Sequence, residues 1–162
     1  MKVEANKVNA LVVKPNLVVS VRDKEGNDNA LVVVYAGNCS YDPPMIMIGI
    51  VPSRYSHHMI KENGSFVVHL LDESQKKLYE CCGFKSGRDS DKLKDYGITL
   101  TDGVKVNAGV ITGCPVAIEC KVVDSIMTGS HEMFIGTVEY VHAEKESLLE
   151  NGRVDLSKLN LM

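Results

Sequence analysis

Residues 52–57 read Pro-Ser-Arg-Tyr-Ser-His and place two hydroxyl groups and a guanidinium where a strand pattern gives way to a helix pattern. The first turn of a helix presents backbone N–H groups and the positive end of the helix dipole, which favours an anion. Ser53, Arg54 and Ser56 are therefore candidates for binding a phosphate. The alternative interpretation is that Ser53 caps the helix and Arg54 is solvated.

A second candidate is the segment that contains Asn38, Cys39 and Ser40 and continues into Asp-Pro-Pro at residues 42–44. It leaves one apolar strand pattern and enters another, and two prolines fix its backbone. A stiff loop of this kind often shapes a pocket, although it is also consistent with a rigid connector in which Asp42 makes a turn.

Two more polar stretches carry groups that suit an anion or a proton transfer. Residues 86–92 contain Arg88 and Lys92, which could add positive charge to a phosphate site, or could pair with the neighbouring Asp89 and Asp91 or remain solvated.

His131 lies at the mouth of a predicted hairpin, where an imidazole could donate to a carbonyl or assist proton transfer. It is equally consistent with an ordinary surface histidine.

Composition excludes several classes of protein. The 162 residues carry a net charge of -3 with no run of basic residues, which argues against nucleic-acid binding. The first eight residues lack the apolar core of a signal peptide or membrane anchor, so we expect a cytoplasmic protein. The five cysteines and five histidines show no zinc spacing, and the glycines form neither a Rossmann fingerprint nor a P-loop. We expect free thiols and no metal site.

The elements that would position these groups are mainly strands. β-branched runs predict six of them, at residues 17–21, 30–35, 45–51, 65–71, 116–123 and 133–141. The first two and the last two should form antiparallel hairpins, through a loop at 22–29 and a turn at 128–130.

Helices are few and short in this pattern. They are predicted at residues 55–62, 73–82 and 91–96, the first ended by Gly64 and the second opened by an Asp72–Gln75 capping box and ended by Gly83. Strands with inserted helices favour one mainly β domain over residues 1–162, a closed or nearly closed barrel. Residues 148–162 should form a tail on the barrel or on a partner subunit.

Taken together and in order, several short motifs resemble those of the flavin reductase-like family, including its flavoredoxin-type members. The match spans residues 17–156. The motifs are Asn29-Ala30, Gly37-Asn38, Asp42-Pro43-Pro44, residues 52–57, Cys82-Gly83, residues 86–93, Cys114-Pro115-Val116, residues 119–123 and residues 129–136.

The resemblance implies an FMN-binding split β-barrel with short inserted helices that forms a homodimer, with FMN near the subunit interface. It implies that the turn with Ser53, Arg54, Tyr55 and Ser56 binds the flavin phosphate. Asn29 and the segment of Asn38, Cys39 and Ser40 would border the isoalloxazine. Arg88, Lys92 and His131 would lie near the flavin or a nicotinamide.

The family reaction is flavin reduction by NADH or NADPH, or electron transfer through a resident FMN to a redox partner protein. The chain departs from the family at Val32 and Val34, where hydroxyl residues are common. A hydrogen bond contributes about 0.5 to 1.5 kcal/mol net, so losing two would weaken the cofactor without removing its site. A reductase, an electron carrier and a non-catalytic flavin-binding protein are therefore the three alternatives.

Overall fold

The computed structural model describes residues 3–4, 6–8, 11 and 16–162, and this part of the chain is built mainly from antiparallel strands. The strands are β1 (Leu17–Arg22), β2 (Asp28–Val33), β3 (Ala36–Tyr41), β4 (Pro44–Ile50), β5 (Ser65–Leu70), β6 (Leu100–Asp102), β7 (Gly109–Ile111), β8 (Val116–Thr128) and β9 (His131–Ala143). The helices are α1 (Tyr55–Asn63), α2 (Lys76–Phe84) and α3 (Lys92–Asp95). Short 3-10 turns cover Glu73–Gln75, Lys145–Ser147 and Leu156–Lys158.

Seven of these strands form one antiparallel sheet in the order β2-β1-β5-β8-β9-β4-β3. Both predicted hairpins are confirmed, since β1 pairs with β2 and β8 pairs with β9. The first strand of this order also meets the last but one, because the carbonyl of Tyr35, just after β2, accepts a hydrogen bond of 2.7 Å from Gly49 N in β4. A Cβ at Gly49 would lie 3.2 Å from Tyr35 Cβ and 2.6 Å from Sδ of the flexible Met133 side chain, so glycine eases this approach. The sheet therefore curves into a barrel.

The barrel interior and one outer face are both packed. Inside, Val19, Ile48 and Phe66 pack with Met59 of α1 in the main cluster of buried residues. Outside, Val18 of β1 packs against α2 and β7 in a second cluster. Because side chains alternate along a strand, β1 is buried on both faces, which accounts for its nearly continuous apolar run.

A helix is present where residues 73–82 predict one, but the predicted start and the predicted stop at Gly83 are both wrong. The capping box of Asp72 and Gln75 is present, but it opens the 3-10 turn that precedes α2. Gly83 lies inside α2, which continues through Phe84. The Cβ position of Gly83 is 3.4 Å from Val32 Cγ2, so this glycine allows close packing on β2 and does not end the helix.

The prediction that Asn38, Cys39 and Ser40 lie in a loop is wrong. These residues belong to β3, which pairs with β4 through a tight turn at residues 42–43. The segment lacks the β-branched residues that are typical of a strand. An edge strand pairs on one side only, so it can form from small and polar residues such as these.

The other two strands missed by the sequence pattern form the small hairpin β6–β7, which is fixed to the barrel by buried side chains. Glu119, fully buried, accepts hydrogen bonds from the backbone N–H groups of residues 104–106 at 2.7, 2.7 and 3.0 Å, and lies 2.6 Å from His142 Nε2. His69, also fully buried, accepts from Ile111 N at 3.0 Å, and Ser20 donates to Gly109 O. We call these contacts of Ser20, His69 and Glu119 the hairpin clamp.

The C-terminal segment lies along the outer face of the barrel near the start of α2. Met162 N donates to Leu71 O at 2.9 Å, and Leu161 forms a bridge with Asp72. Met162 also packs against the cluster that contains Val18 and Leu78. Residues 161–162 therefore contact the barrel of their own chain.

Candidate functional site

Two adjoining clefts open between β2, the first turn of α1 and the loop that follows α2. The first has a volume of about 420 Å³, and we call it the valine cleft; it is lined by Asn29, Val32, Val34, Arg54, Lys92 and others. The second, of about 530 Å³, lies on the side of residues 26–28 and α3. Asn29, Tyr55, Gly87 and Lys92 line both clefts and form the wall between them.

The first turn of α1 forms the polar end of the valine cleft. Arg54 is the N-cap residue with an extended backbone and makes no side-chain cap, so the alternative of a Ser53 cap is not what the structure shows. Arg54 is exposed and forms no ion pair with any other described residue. The Nη2 atom of Arg88 donates to Ser53 O at 3.0 Å, which brings a second guanidinium to this turn.

Ser56 and Asn29 join α1 to β2 at the base of the cleft. Both residues are buried, and Asn29 Nδ2 donates to Ser56 Oγ at 2.7 Å. The backbone of Gly87 presses on this pair: a Cβ there would lie 2.7 Å from Asn29 Oδ1 and 2.7 Å from Tyr55 Cδ1. Only glycine allows the loop to approach so closely, and Gly87 is a site residue that the sequence analysis did not single out.

Lys92 supplies a buried positive charge. The residue is only 3% exposed, and its Nζ donates to Lys85 O at 2.8 Å. No carboxylate among the described residues forms an ion pair with it. Burial lowers the pKa of this amine, as expected when an ammonium group loses water. An ammonium has three N–H donors, so Lys92 retains donors that an anion in the cleft can use.

The remaining wall of the valine cleft is apolar. Val32 and Val34, where the resemblance leads one to expect hydroxyl residues, both line it. Phe84, at the end of α2, also lines it and is 81% exposed. The cleft therefore combines a cationic end with an apolar side, which suits a planar ring that carries an anionic tail.

Six of the predicted site residues line neither cleft. Ser53 and Arg88 lie beside Arg54 at the first turn of α1, and the other four lie on β3 and at the start of β9. Asn38, Cys39 and Ser40 are on edge strand β3, and neither they nor His131 line either cleft. The imidazole of His131 packs edge-on against Tyr35, with ring centroids 4.7 Å apart, and Ser130 Oγ lies 2.8 Å from its Nδ1. Tyr35 follows Val34, so His131 is next to the cleft wall. The flavin roles of these four residues stay predictions.

A buried carboxylate that the sequence analysis missed lies behind the first turn of α1. Glu132 is 7% exposed and is 2.6 Å from His57 Nε2, 2.9 Å from Lys61 Nζ and 2.6 Å from Ser125 Oγ. The hydrogen bonds from Ser125 and Lys61 lower the pKa of Glu132 to about 2. Glu132 adjoins His131 in a motif that the sequence did flag, but no local pattern indicates its partners.

Within the part of the chain that the structure describes, no helix is long and apolar enough to cross a bilayer. The same residues contain no group of three or more His, Cys, Asp or Glu side chains able to hold a metal ion. All five cysteines are free thiols. Burial raises the pKa of Cys82, which borders the valine cleft, to about 12, so this thiol stays protonated at neutral pH.

Comparison with known proteins found a matching family model and related sequences. The family model described as the flavin reductase like domain matches residues 10–155. An uncharacterized protein of Pyrococcus abyssi is 34% identical over 146 residues, which cover 90% of this chain and 81% of that protein. The NADH:riboflavin 5'-phosphate oxidoreductase of Streptomyces pristinaespiralis is 25% identical over 128 residues, 79% of this chain and 70% of that one.

Solved structures show the same fold. Flavoredoxin of Desulfovibrio vulgaris (Miyazaki F) superimposes with a TM-score of 0.88 at 26% identity, covering 98% of this chain and 85% of that one. The FMN-binding protein of Thermus thermophilus does so with a TM-score of 0.81 at 26% identity, covering 95% and 84%. The mainly β split-barrel fold predicted from the sequence is thereby confirmed.

Proposed function

The chain belongs to the flavin reductase-like domain family, and on that premise we propose that it is an FMN-binding oxidoreductase whose valine cleft holds the flavin. The observation that carries the proposal is the pair of cations Arg54 and Lys92, which have no carboxylate partner among the described residues and line one cleft with an apolar side. Keeping the buried ammonium of Lys92 unpaired costs stability unless an anion meets it, whereas the exposed Arg54 is free to bind one.

The residues present fit FMN by the chemistry of their donors. Arg54, Lys92 and the backbone N–H groups at the start of α1 would hold the phosphate, and Ser53 adds a hydroxyl. Val32, Val34 and Phe84 would cover the ring and keep water from it. Asn29 Nδ2 donates one hydrogen to Ser56 Oγ, and its Oδ1 could accept a hydrogen bond from the ligand.

The chemistry that FMN supplies when bound is acceptance of a hydride and release of electrons. The protein's own contribution is binding, orientation and exclusion of water. His131, packed on Tyr35 beside the cleft, would orient a nicotinamide donor or the flavin. Arg88, held on Ser53 O, would add positive charge near the phosphate of either ligand.

We propose NADH or NADPH as the electron donor, in keeping with the Streptomyces pristinaespiralis relative. A second candidate function is electron transfer through resident FMN to a redox partner protein without nicotinamide turnover. The likeness to flavoredoxin favours it. A third, flavin binding without turnover, rests on Val32 and Val34, which remove hydroxyl groups from the cleft wall.

We also propose that the protein is a homodimer. Large apolar side chains are exposed on β4 and β8: Met47 is 36% exposed, Ile126 59% and Met127 55%. A second subunit on this side would cover them, and it would bring another copy of Asn38, Cys39, Ser40 and His131 toward the flavin. The cytoplasmic location expected from the sequence stays a prediction.

Visible absorbance of the purified protein, followed by FMN titration and anaerobic oxidation of NADH and NADPH with free FMN as acceptor, separates these functions. Bound flavin with fast nicotinamide oxidation supports the reductase. Bound flavin with negligible oxidation supports the carrier or the non-catalytic protein, which partner reduction then distinguishes. A protein that binds no flavin contradicts the proposal as a whole.

A further inference from the structure

The buried carboxylate Glu132 connects the β8–β9 hairpin to the helix that begins at the proposed phosphate site. Glu132 is paired with Ile50, the last residue of β4, so it lies where the chain leaves the barrel for α1. Two of its three partners are on α1, His57 at 2.6 Å and Lys61 at 2.9 Å. These residues are one helical turn apart, so one carboxylate forms hydrogen bonds with the first two turns of the helix.

The opposite side of the same turn is held by the site itself. Ser56, next to His57, accepts from Asn29 Nδ2 at 2.7 Å in the base of the valine cleft. Glu132 on β9 and Asn29 on β2 thus fix α1 from two sides. Arg54 and the first N–H groups of α1 depend on both contacts for their place relative to the cleft wall.

A second buried glutamate provides a comparison within the same protein. Glu119 also lies 2.6 Å from a histidine Nε2, that of His142, and is also buried. Its other partners are the backbone N–H groups of residues 104–106 in the hairpin clamp. Glu119 has no hydrogen bond to α1 among those that the structure describes, and it does not line the valine cleft. The two carboxylates therefore share their chemistry and differ in what they hold.

We infer that Glu132 is a positioning residue for flavin binding: through His57 and Lys61 it sets the first turn of α1, and so Arg54, at the distance from β2 that the FMN phosphate requires. This inference rests on the proposed function. The Glu132 carboxylate, itself on β9, has two partners on α1 and one on β8 and so holds the three elements in one arrangement, whereas an alanine leaves α1 free to shift. A small displacement of binding groups is costly because their hydrogen bonds depend on geometry.

The test compares FMN affinity in Glu132→Ala, Glu132→Gln and Glu119→Ala at a temperature where circular dichroism shows each variant folded. Glu132→Ala should weaken FMN binding about tenfold, the equivalent of one charge-assisted contact. Glu132→Gln should stay within about threefold of wild type, because an amide oxygen still accepts from Ser125 and Lys61 and the NH₂ can donate to the His57 ring nitrogen. Folded Glu119→Ala should bind FMN as the wild type does.

Equal affinity of Glu132→Ala and wild type would overturn the inference, and so would equal losses in Glu132→Ala and Glu119→Ala. If Glu132→Ala does not fold, His57→Phe replaces it, since the ring still packs on Phe134 while the bond to Glu132 is lost. It should weaken FMN about threefold, and wild-type affinity would contradict the inference. A wild-type protein that does not bind FMN would overturn the proposed function, whereas equal FMN affinity of wild type and Glu132→Ala would overturn only the role of Glu132.

Discussion

The hairpin clamp and the valine cleft both bury polar side chains, but they satisfy them differently. In the clamp, Glu119 meets three backbone N–H groups and His142, while both ring nitrogens of His69 have partners, Val18 O at 3.2 Å and Ile111 N at 3.0 Å. In the cleft, and among the described residues, Lys92 Nζ has one hydrogen-bond partner, Lys85 O, and Arg54 has no ion pair.

This difference separates residues that stabilise the fold from residues available to a ligand. A buried charge without a partner destabilises a protein, whereas one with several hydrogen bonds can be neutral or favourable. The clamp should therefore contribute to the free energy of unfolding and leave FMN affinity unchanged. Lys92, the buried cation of the cleft, should contribute to FMN affinity and add nothing to the free energy of unfolding.

The largest expected effect is that of Glu119→Ala on stability. The change leaves three backbone N–H groups and His142 without their acceptor, so we expect a loss of about 3 to 5 kcal/mol in the free energy of unfolding. Urea unfolding followed by circular dichroism measures it. A loss below about 1 kcal/mol would mean that the clamp behaves like a surface ion pair, and the comparison with the cleft would fail.

His69 should make stability depend on pH. Burial lowers its pKa from the ordinary 6.5 to about 4, so the unfolded chain takes up a proton first and the stabilisation is complete above pH 6.5 and lost as pH falls toward 4. The full window corresponds to on the order of 3 kcal/mol. Urea unfolding of wild type and His69→Gln at a series of pH values should show this slope only in the wild type.

The exposed His58 offers a control for that experiment, since His58→Gln should retain the wild-type slope. The same slope in His69→Gln would assign the pH dependence to another group.

Lys92→Met tests the cleft side of the comparison. Removing a buried ammonium that has no carboxylate partner should leave the free energy of unfolding unchanged or raise it by about 1 kcal/mol, while FMN binding weakens by about 1 to 3 kcal/mol. Thermal unfolding and FMN titration measure the two effects. Lys76→Met, at an exposed position outside the cleft, is the matched control. A lower free energy of unfolding with unchanged FMN affinity would show that Lys92, like the hairpin clamp, stabilises the fold and does not bind the ligand.

The smallest expected effect comes from restoring one hydroxyl to the apolar wall. Val32→Thr should tighten FMN binding by about 0.5 to 1.5 kcal/mol, the net value of one hydrogen bond. Val123→Thr, on the exposed part of β8 outside the cleft, should not. Unchanged or weaker binding in Val32→Thr would show that the valine does not face the polar part of the flavin.

The sequence pattern predicted the strands that form the core. It missed β3, β6 and β7, which are held in place by contacts with other elements. Long β-branched runs such as β1 and β5 are visible because burial on one or both faces demands apolar residues. Strand β3 contains Gly37, Asn38 and Cys39 and is held by β4 alone, while β6 and β7 are three residues each and depend on the distant clamp. Neither situation leaves a local pattern to recognise.

The candidate site was predicted in part. Asn29, Arg54, Tyr55, Ser56 and Lys92 do line one cleft, because the strand-to-helix turn and the loop after α2 converge on β2. Gly87 and Glu132 were not singled out, since their importance lies in close approach and in partners far along the chain. Asn38, Cys39, Ser40 and His131 do not line either cleft, and nor do Ser53 and Arg88, so their flavin contacts stay predictions.

The most direct test of the central claim is FMN titration of Arg54→Ala beside Arg153→Ala, an exposed arginine outside the cleft. If the first turn of α1 binds the flavin phosphate, Arg54→Ala weakens FMN by about 1 to 3 kcal/mol while Arg153→Ala binds as the wild type does. Unchanged FMN affinity in Arg54→Ala would remove the phosphate from this turn and contradict the account.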